Sequence, residues 1–179
     1  MPINTQLIFS LKASCSKQFL EWINYQSSLT DKLRKVKGEV QLELIGQQWI
    51  NTDLWSQSLL DIQDATLFQR EILMRSQDVV YWYARSIIPQ ECYALDPVFF
   101  ERLKNESIRN LIFEDGRVQR INSINYAVDN QCVEFYWVKK HLIAVDGILW
   151  VRIAEYSFQR KESFYVVEIM LPELGDVTL

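Results

Sequence analysis

Two pairs of apolar segments, each pair joined by a short connection, constrain the fold more than any other feature of this sequence. The segments are rich in β-branched and aromatic residues, which favour strands. Short connections between such segments are typical of antiparallel hairpins. Pro89 follows the first pair and Pro172 the second, and proline ends a strand because it cannot donate to the ladder. The four segments are residues 67–75, 79–88, 148–158 and 163–171.

The rest of the chain adds two strand candidates and several helices. Residues 39–45 alternate apolar and polar side chains, and residues 132–139 are rich in aromatics, so both are predicted to be strands. The remaining segments are residues 17–29 (a helix capped by Ser16), 30–37 (a helix continuation or a loop), 51–66 (a loop with a short helix), 97–104 (a short helix) and 105–128 (mixed). We therefore expect a single α+β domain over residues 1–179, an antiparallel sheet of about six strands with helices packed on it.

Composition excludes several classes of function. The length of 179 residues fits one domain. A formal net charge of −4 is poorly suited to a phosphate backbone, so we expect no nucleic-acid partner. It does not exclude a small anionic substrate, because a few buried arginines can bind one. Three widely spaced cysteines without a C-x-x-C pair predict reduced thiols, and a single histidine, His141, cannot build a histidine-based metal site.

Known catalytic and targeting motifs are also missing. Only five glycines occur, none in a phosphate-binding loop, and no G-x-S-x-G motif is present. We expect neither a metal nor a cofactor. The first residues do not resemble a secretory signal, and no apolar run approaches the ~18 residues of a membrane span. These observations predict a cytoplasmic protein without membrane insertion.

Charged residues inside the apolar strands are the candidate functional groups. Arg70, Arg85, Arg152 and Glu168 all lie in the middle of predicted strands, and Arg70 shares its face with Phe68 and others. Each charge taken alone is better explained by the wet face of the sheet or by structural ion pairing. Together, several arginines and one glutamate would line a closed pocket for a small dianion, since arginine binds carboxylates bidentately.

The strand motifs resemble those of a known enzyme family. QREILMRSQDVVYWYARSIIP, residues 69–89, resembles the first hairpin of chorismate pyruvate-lyases, and LWVRIAEYSF with FYVVEIMLP resembles their last hairpin. SSLTDKL and SIRNLIF resemble two shorter family segments. The similarity follows the family order over roughly residues 17–113 and 148–172. It implies a six-stranded antiparallel sheet, a buried product pocket, and cleavage of chorismate into 4-hydroxybenzoate and pyruvate, the first step towards ubiquinone.

The resemblance also implies roles for individual residues. Arg70 matches the arginine that binds the ring carboxylate, and Glu168 matches the glutamate beside the 4-hydroxyl of the product. Both are candidate catalytic residues. Leu29 and Ile108 match apolar positions around the ring, where the backbone also donates hydrogen bonds.

Two further arginines match family motifs. Either Arg85 or Arg152 could hold the pyruvyl carboxylate of the substrate.

The chain departs from the family pattern at residues 114–147, which we interpret as an insertion: an extra hairpin, a lid or an interface. We expect the protein to be a monomer.

Three other functions remain open. The chain could be a ligand-binding sensor domain like those attached to some transcription regulators, although its N-terminal region is too short for a DNA-binding segment. It could bind small aromatic acids without turnover. It could also be a different chorismate-processing enzyme, which its product would reveal.

Overall fold

The computed structural model describes residues 3–8 and 11–177, so the outermost residues of the predicted domain 1–179 lie outside it. Six strands form one antiparallel sheet in the order β1-β2-β3-β6-β5-β4. The strands are β1 Gln41–Asn51, β2 Thr66–Ser76, β3 Val79–Pro89, β4 Val118–Val128, β5 Leu149–Phe158 and β6 Glu162–Met170. The α-helices of the described residues are α1 Lys17–Ile23, α2 Leu29–Lys37, α3 Leu54–Leu60, α4 Gln90–Leu95, α5 Pro97–Glu101, α6 Ile108–Phe113 and α7 Val133–Lys139. Short 3-10 turns occupy Thr5–Leu7, Arg102–Lys104 and Pro172–Asp176.

The α+β class and the six-stranded antiparallel sheet are therefore confirmed. Both predicted hairpins form, as β2 with β3 and as β5 with β6. Their inner strands, β3 and β6, pair with each other at the centre of the sheet. Because these strands are buried on both faces, their sequences are almost continuously apolar.

Helices cover both faces of the sheet. On one face, α3 and α7 pack over a core that includes Leu60, Tyr83 and Trp137. The other face carries two separate clusters. Helices α1 and α2 cover the first with Trp22 and others, and α4, α5 and α6 cover the second with Phe100 and others. The polar residues between these two clusters form the candidate site.

Local sequence explains where several helices begin. The Ser16 hydroxyl accepts a hydrogen bond from the backbone N–H of Phe19, which confirms the predicted cap of α1. Asp96 caps α5 in the same way, and Pro97 occupies its first turn, where a missing N–H costs nothing. The predicted helix 17–29 is shorter than expected: α1 ends at Ile23, and a second helix begins at Leu29.

The predicted strand at residues 132–139 is wrong, because residues 133–139 form helix α7. The sixth strand is β4 instead, which lies within residues 105–128, a segment of mixed sequence pattern. Together β4 and α7 occupy most of residues 114–147, and β4 extends the same sheet at its edge. In the described part of the chain, no helix is long and apolar enough to cross a membrane.

Candidate active site

A cavity lies on the sheet face that carries two separate apolar clusters. Its floor comes from strands β1, β2, β3, β5 and β6, and its cover from the start of α2 and from α6. Apolar side chains make up most of the wall, and the charged groups stand at separate points. The predicted site residues that line it are Leu29, Arg70, Ile108, Arg152 and Glu168.

Arg70 is a buried cation that faces this cavity without a carboxylate partner. Its exposed fraction is 5%, and no described aspartate or glutamate forms an ion pair with it. One terminal nitrogen donates to the carbonyl of Glu106 at 3.3 Å, and Nε has no hydrogen-bond partner among the described residues. Burial lowers the pKa of the Arg70 guanidinium, because its charge is desolvated. A group in this state favours an incoming anion.

Glu168 and Arg152 form an ion pair on adjacent strands. They are direct partners in the β5–β6 ladder, and Arg152 Nε donates to Glu168 Oε2 at 2.6 Å. A terminal nitrogen of Arg152 also donates to the carbonyl of Tyr25 at 2.7 Å. Because a guanidinium has five N–H donors, this arginine keeps capacity for a further anion.

Arg70 and Glu168 stand on opposite sides of the cavity floor. Arg70 pairs with Ser86 across β2 and β3, while Glu168 pairs with Ala84 across β6 and β3. One strand lies between them and their partners on it are two residues apart, so their backbones are separated by about 12 Å. Both face the same cavity, as the sequence predicted.

Leu29 and Ile108 are the first residues of the two covering helices. Ser28 caps α2 and Ser107 caps α6 through their hydroxyls. The first backbone N–H groups of a helix have no partner within it. Both helix starts therefore bring apolar side chains and backbone donors to the cavity together.

An ion pair joins the two covering helices. The guanidinium of Arg109 in α6 contacts Asp31 of α2 through two nitrogens, each 2.8 Å from Oδ2. Burial alone would raise the pKa of Asp31, but the hydrogen bonds and the charge of Arg109 outweigh it and lower that pKa. This ion pair thus connects the two helices that cover the cavity.

Tyr156 is a cavity residue that the sequence reasoning missed. It lies on β5 four residues after Arg152, so strand alternation places both side chains on one face. Burial, followed by the charge of Glu168, raises the pKa of its hydroxyl to about 12. The phenol remains protonated at neutral pH and can donate a hydrogen bond.

Arg85 does not belong to this cavity, and its proposed place in the site needs correction. It lies on the opposite face of the sheet, where it donates to Glu71 at 2.9 Å and stacks 3.7 Å from the centre of the Trp137 ring. A β-bulge decides this orientation: Met74 pairs with Trp82 but Arg75 with Val80, which leaves Tyr81 as an extra residue. Without the bulge, Arg85 would pair with Arg70 and share its face.

The cavity combines a largely apolar wall with charged groups at separate points. Arg70 can bind a carboxylate, and the Arg152–Glu168 pair lies across the floor beside a protonated phenol. Within the described ranges, no group of three or more His, Cys, Asp or Glu side chains is placed to hold a metal ion.

Fold and site together define an α+β domain with a cavity that contains a buried arginine without a carboxylate partner among the described residues. A model of the chorismate lyase family matches residues 10–176. The chain belongs to that family.

Individual relatives are distant in sequence. A probable chorismate pyruvate-lyase from Pasteurella multocida is 30% identical over 38% of this chain and 41% of its own. A second, from Idiomarina loihiensis, is 24% identical over 52% of this chain and 48% of its own. A chorismate pyruvate-lyase from Pectobacterium atrosepticum is 20% identical over 71% and 70%. The chain therefore spans less than half the length of the first two relatives.

Solved structures share the fold. A GntR-family transcriptional regulator from Bacillus cereus superimposes with a TM-score of 0.55 at 15% identity, over 75% of this chain and 93% of that one. The C-terminal domain of the histidine utilization repressor from Pseudomonas syringae pv. tomato gives a TM-score of 0.57 at 10% identity, over the same shares of 75% and 93%. At such identities the likeness concerns the fold alone.

Proposed function

We propose that this protein is a chorismate pyruvate-lyase, which converts chorismate into 4-hydroxybenzoate and pyruvate. The observation that carries the proposal is Arg70, a buried guanidinium without a carboxylate partner in the described chain, facing a cavity opposite Glu168. Family membership supports the same conclusion. The arginine lacks an anion that a ring carboxylate would supply.

The reaction needs no outside reactant. The ether bond between ring carbon C3 and the enolpyruvyl oxygen breaks, and the electron pair leaves with that oxygen. Ring carbon C4 loses its proton and the ring becomes aromatic, which gives 4-hydroxybenzoate. The departing enolpyruvate takes up a proton and becomes pyruvate. The protein therefore has to orient the side chain over the ring, exclude water and stabilise charge on the leaving oxygen.

Each cavity residue has a proposed part in these tasks. Arg70 anchors the ring carboxylate, and Leu29 and Ile108 enclose the ring with apolar side chains and helix-start N–H groups. Glu168 lies at the reacting side, as a proton donor or an orienting group. Arg152, rather than Arg85, is our candidate for the pyruvyl carboxylate. Two of its N–H donors engage Glu168 and one engages Tyr25, so two of the five have no partner among the described residues.

The direct test is to incubate the purified protein with chorismate and EDTA and to follow 4-hydroxybenzoate by absorbance and chromatography. We expect stoichiometric 4-hydroxybenzoate and pyruvate. If neither product appears while the folded protein still binds 4-hydroxybenzoate, the enzyme assignment is wrong.

Glu168→Gln tests the assigned role of the glutamate. The amide keeps the size of the side chain but cannot carry its charge or its proton, so we expect kcat to fall about 100-fold or more. Thermal unfolding and 4-hydroxybenzoate affinity serve as controls for folding and for the pocket. An unchanged kcat would remove Glu168 from the mechanism.

A binding domain without catalysis is the second candidate. The shared fold of the GntR-family regulators favours it, because the same architecture also occurs in transcription regulators. Tight 4-hydroxybenzoate binding without turnover of chorismate would select this function.

The wider setting is part of the same proposal. We infer that the protein acts in the cytoplasm as a monomer, supplies 4-hydroxybenzoate towards ubiquinone, and has no nucleic-acid partner. We also propose that residues 114–147, which contain β4 and α7, are an insertion into one chorismate lyase-like domain.

A further inference from the structure

A second cavity lies on the opposite face of the sheet from the candidate active site. It is bordered by α3, β4, α7 and the 3-10 turn near the N-terminus, and it shares no lining residue with the first cavity. Its volume of about 250 Å³ exceeds the roughly 30 Å³ that one liquid water occupies. Apolar and aromatic side chains dominate its wall, among them Trp55, Leu59, Tyr126 and Val128.

Glu134 is the charged residue of this wall. Its exposed fraction is 7%, and its Oε1 accepts hydrogen bonds from Trp55 Nε1 at 2.9 Å and from the Tyr126 hydroxyl at 2.8 Å. Both donors are neutral. Burial, followed by the charge of Glu134, raises the pKa of the Tyr126 hydroxyl, so it remains a donor.

The second oxygen of Glu134 has no such partner. In the described part of the chain, neither a hydrogen-bond donor to Oε2 nor an ion pair to this carboxylate is present. Glu134 Oε2 is not one of the fully buried polar atoms that lack a partner, so it remains accessible to solvent or to a ligand in the cavity. The cavity thus offers a negative charge within an apolar wall.

We propose that this cavity is a binding site for a small organic ammonium with an apolar substituent. The ammonium would donate to Glu134 Oε2, and the faces of Trp55 and Tyr126 attract cations as well. The substituent would pack against the apolar wall. Anions are disfavoured by the same carboxylate, so the two cavities of the protein select ligands of opposite charge.

A purely structural role is the rival explanation. Glu134 joins α7 to α3 and β4 through its two hydrogen bonds, and that cross-link needs only Oε1. It leaves Oε2 to solvent and gives the adjoining cavity no ligand. The two explanations differ in their prediction for an added ammonium.

Benzylamine is a suitable probe, with benzyl alcohol and benzoate as neutral and anionic comparators of similar shape. Binding is followed by NMR through the indole N–H resonance of Trp55, which reports on this site alone. We expect a saturable shift with benzylamine and at least tenfold weaker binding of benzyl alcohol. Benzoate should leave this resonance unchanged.

Glu134→Gln removes the charge but keeps an oxygen that can accept both hydrogen bonds. We expect it to weaken benzylamine binding at least tenfold, while Glu173→Gln, a matched change at an exposed carboxylate outside the cavity, has no effect. Ser58→Phe, which fills the cavity from an exposed wall position, should also abolish binding and serves if Glu134→Gln does not fold. Three outcomes would each overturn the proposal: no saturable binding of benzylamine, equal affinity for benzylamine and benzyl alcohol, or unchanged benzylamine affinity in these cavity variants.

Discussion

At the scale of single residues, two buried arginines on neighbouring strands have opposite surroundings. Arg85 pairs with Glu71 at 2.9 Å and stacks on Trp137, so the protein itself compensates its charge. Arg70 has only a carbonyl at 3.3 Å and a nitrogen without a partner. Since a buried charge is unfavourable unless it is paired, Arg70 costs stability in the free protein. A lower free energy of unfolding is expected of a charged group whose function is to bind a ligand.

The two arginines give a matched pair of variants. Arg70→Met should leave the free energy of unfolding unchanged or raise it, because it removes an uncompensated charge. It should weaken 4-hydroxybenzoate binding roughly 10- to 100-fold, the worth of a charge-assisted hydrogen bond. Arg85→Met should lower the free energy of unfolding by about 3 kcal/mol, because Glu71 loses its cation, and leave binding unchanged.

Urea unfolding and calorimetric titration measure both quantities on both variants. If Arg70→Met lost as much stability as Arg85→Met and bound 4-hydroxybenzoate normally, Arg70 would be a structural residue and not the anion anchor.

Strand alternation explains how much of the site the sequence could predict. It placed Arg70 and Glu168 with apolar neighbours on single faces, and the structure brings both to one cavity. Arg85 was assigned to the site from its mid-strand position and the family motif, and one bulged residue, Tyr81, determines that it faces the other way. No local composition marks that bulge, so register could not be read from the sequence. Tyr156, by contrast, was within reach of the same alternation rule.

At the scale of elements, the cover of the cavity depends on two short helices joined by one ion pair. Asp31 and Arg109 are each about one-third exposed, with side-chain fractions of 32% and 28%. Pairs this exposed contribute about 0.2–1 kcal/mol. Such a pair can hold a cover closed without making its opening slow.

Asp31→Asn should therefore speed release of 4-hydroxybenzoate by roughly two- to fivefold, measured by stopped-flow displacement. Arg34→Gln is the matched control, because Arg34 also pairs with Asp31 but lies on the same helix and does not reach α6. Equal release rates in both variants would show that the pair does not govern the opening.

The same pair predicts a pH dependence. The pKa of Asp31 is lowered in the folded protein, so its contribution to stability is complete above the ordinary pKa of aspartate. It is lost as the pH falls through the lowered folded value. Release of 4-hydroxybenzoate from the native protein should accelerate in that acidic window. The Asp31→Asn variant should show no such acceleration. An acceleration of equal size in both proteins would assign the pH dependence to another group.

Element type was predicted less well at residues 118–139. The run at 132–139 is aromatic and apolar, which favoured a strand, yet it forms α7 with Glu134, Phe135, Trp137 and Val138 buried. That spacing is helical, but a dense apolar run satisfies both periods. Residues 118–128 are polar and form β4, an edge strand, where one face needs little apolar surface. The two errors cancelled, which is why the strand count of about six was right.

At the scale of the whole molecule, the sheet ends in two edge strands, β1 and β4, and each contains a β-bulge. The ladder skips Ile45 on β1 and Ile121 on β4. An unpaired edge is a template for pairing with another chain, and a bulge disrupts that template by twisting the strand and breaking its ladder. Both bulges therefore favour the monomer that we propose.

Deletion of Ile121 should test this argument. The deletion would restore a continuous ladder between β4 and β5 and leave a regular outer edge on β4. We therefore expect concentration-dependent dimers of the variant in sedimentation velocity, whereas the native chain should sediment as a monomer of 21.2 kDa. Ile121 is also an exposed apolar residue, with an exposed fraction of 54%. Ile121→Ser removes that side chain but keeps the bulge, so it should remain monomeric. Two outcomes would show that the bulges do not set the oligomeric state. One is a dimer of the native chain. The other is a deletion variant that stays monomeric while it still binds 4-hydroxybenzoate.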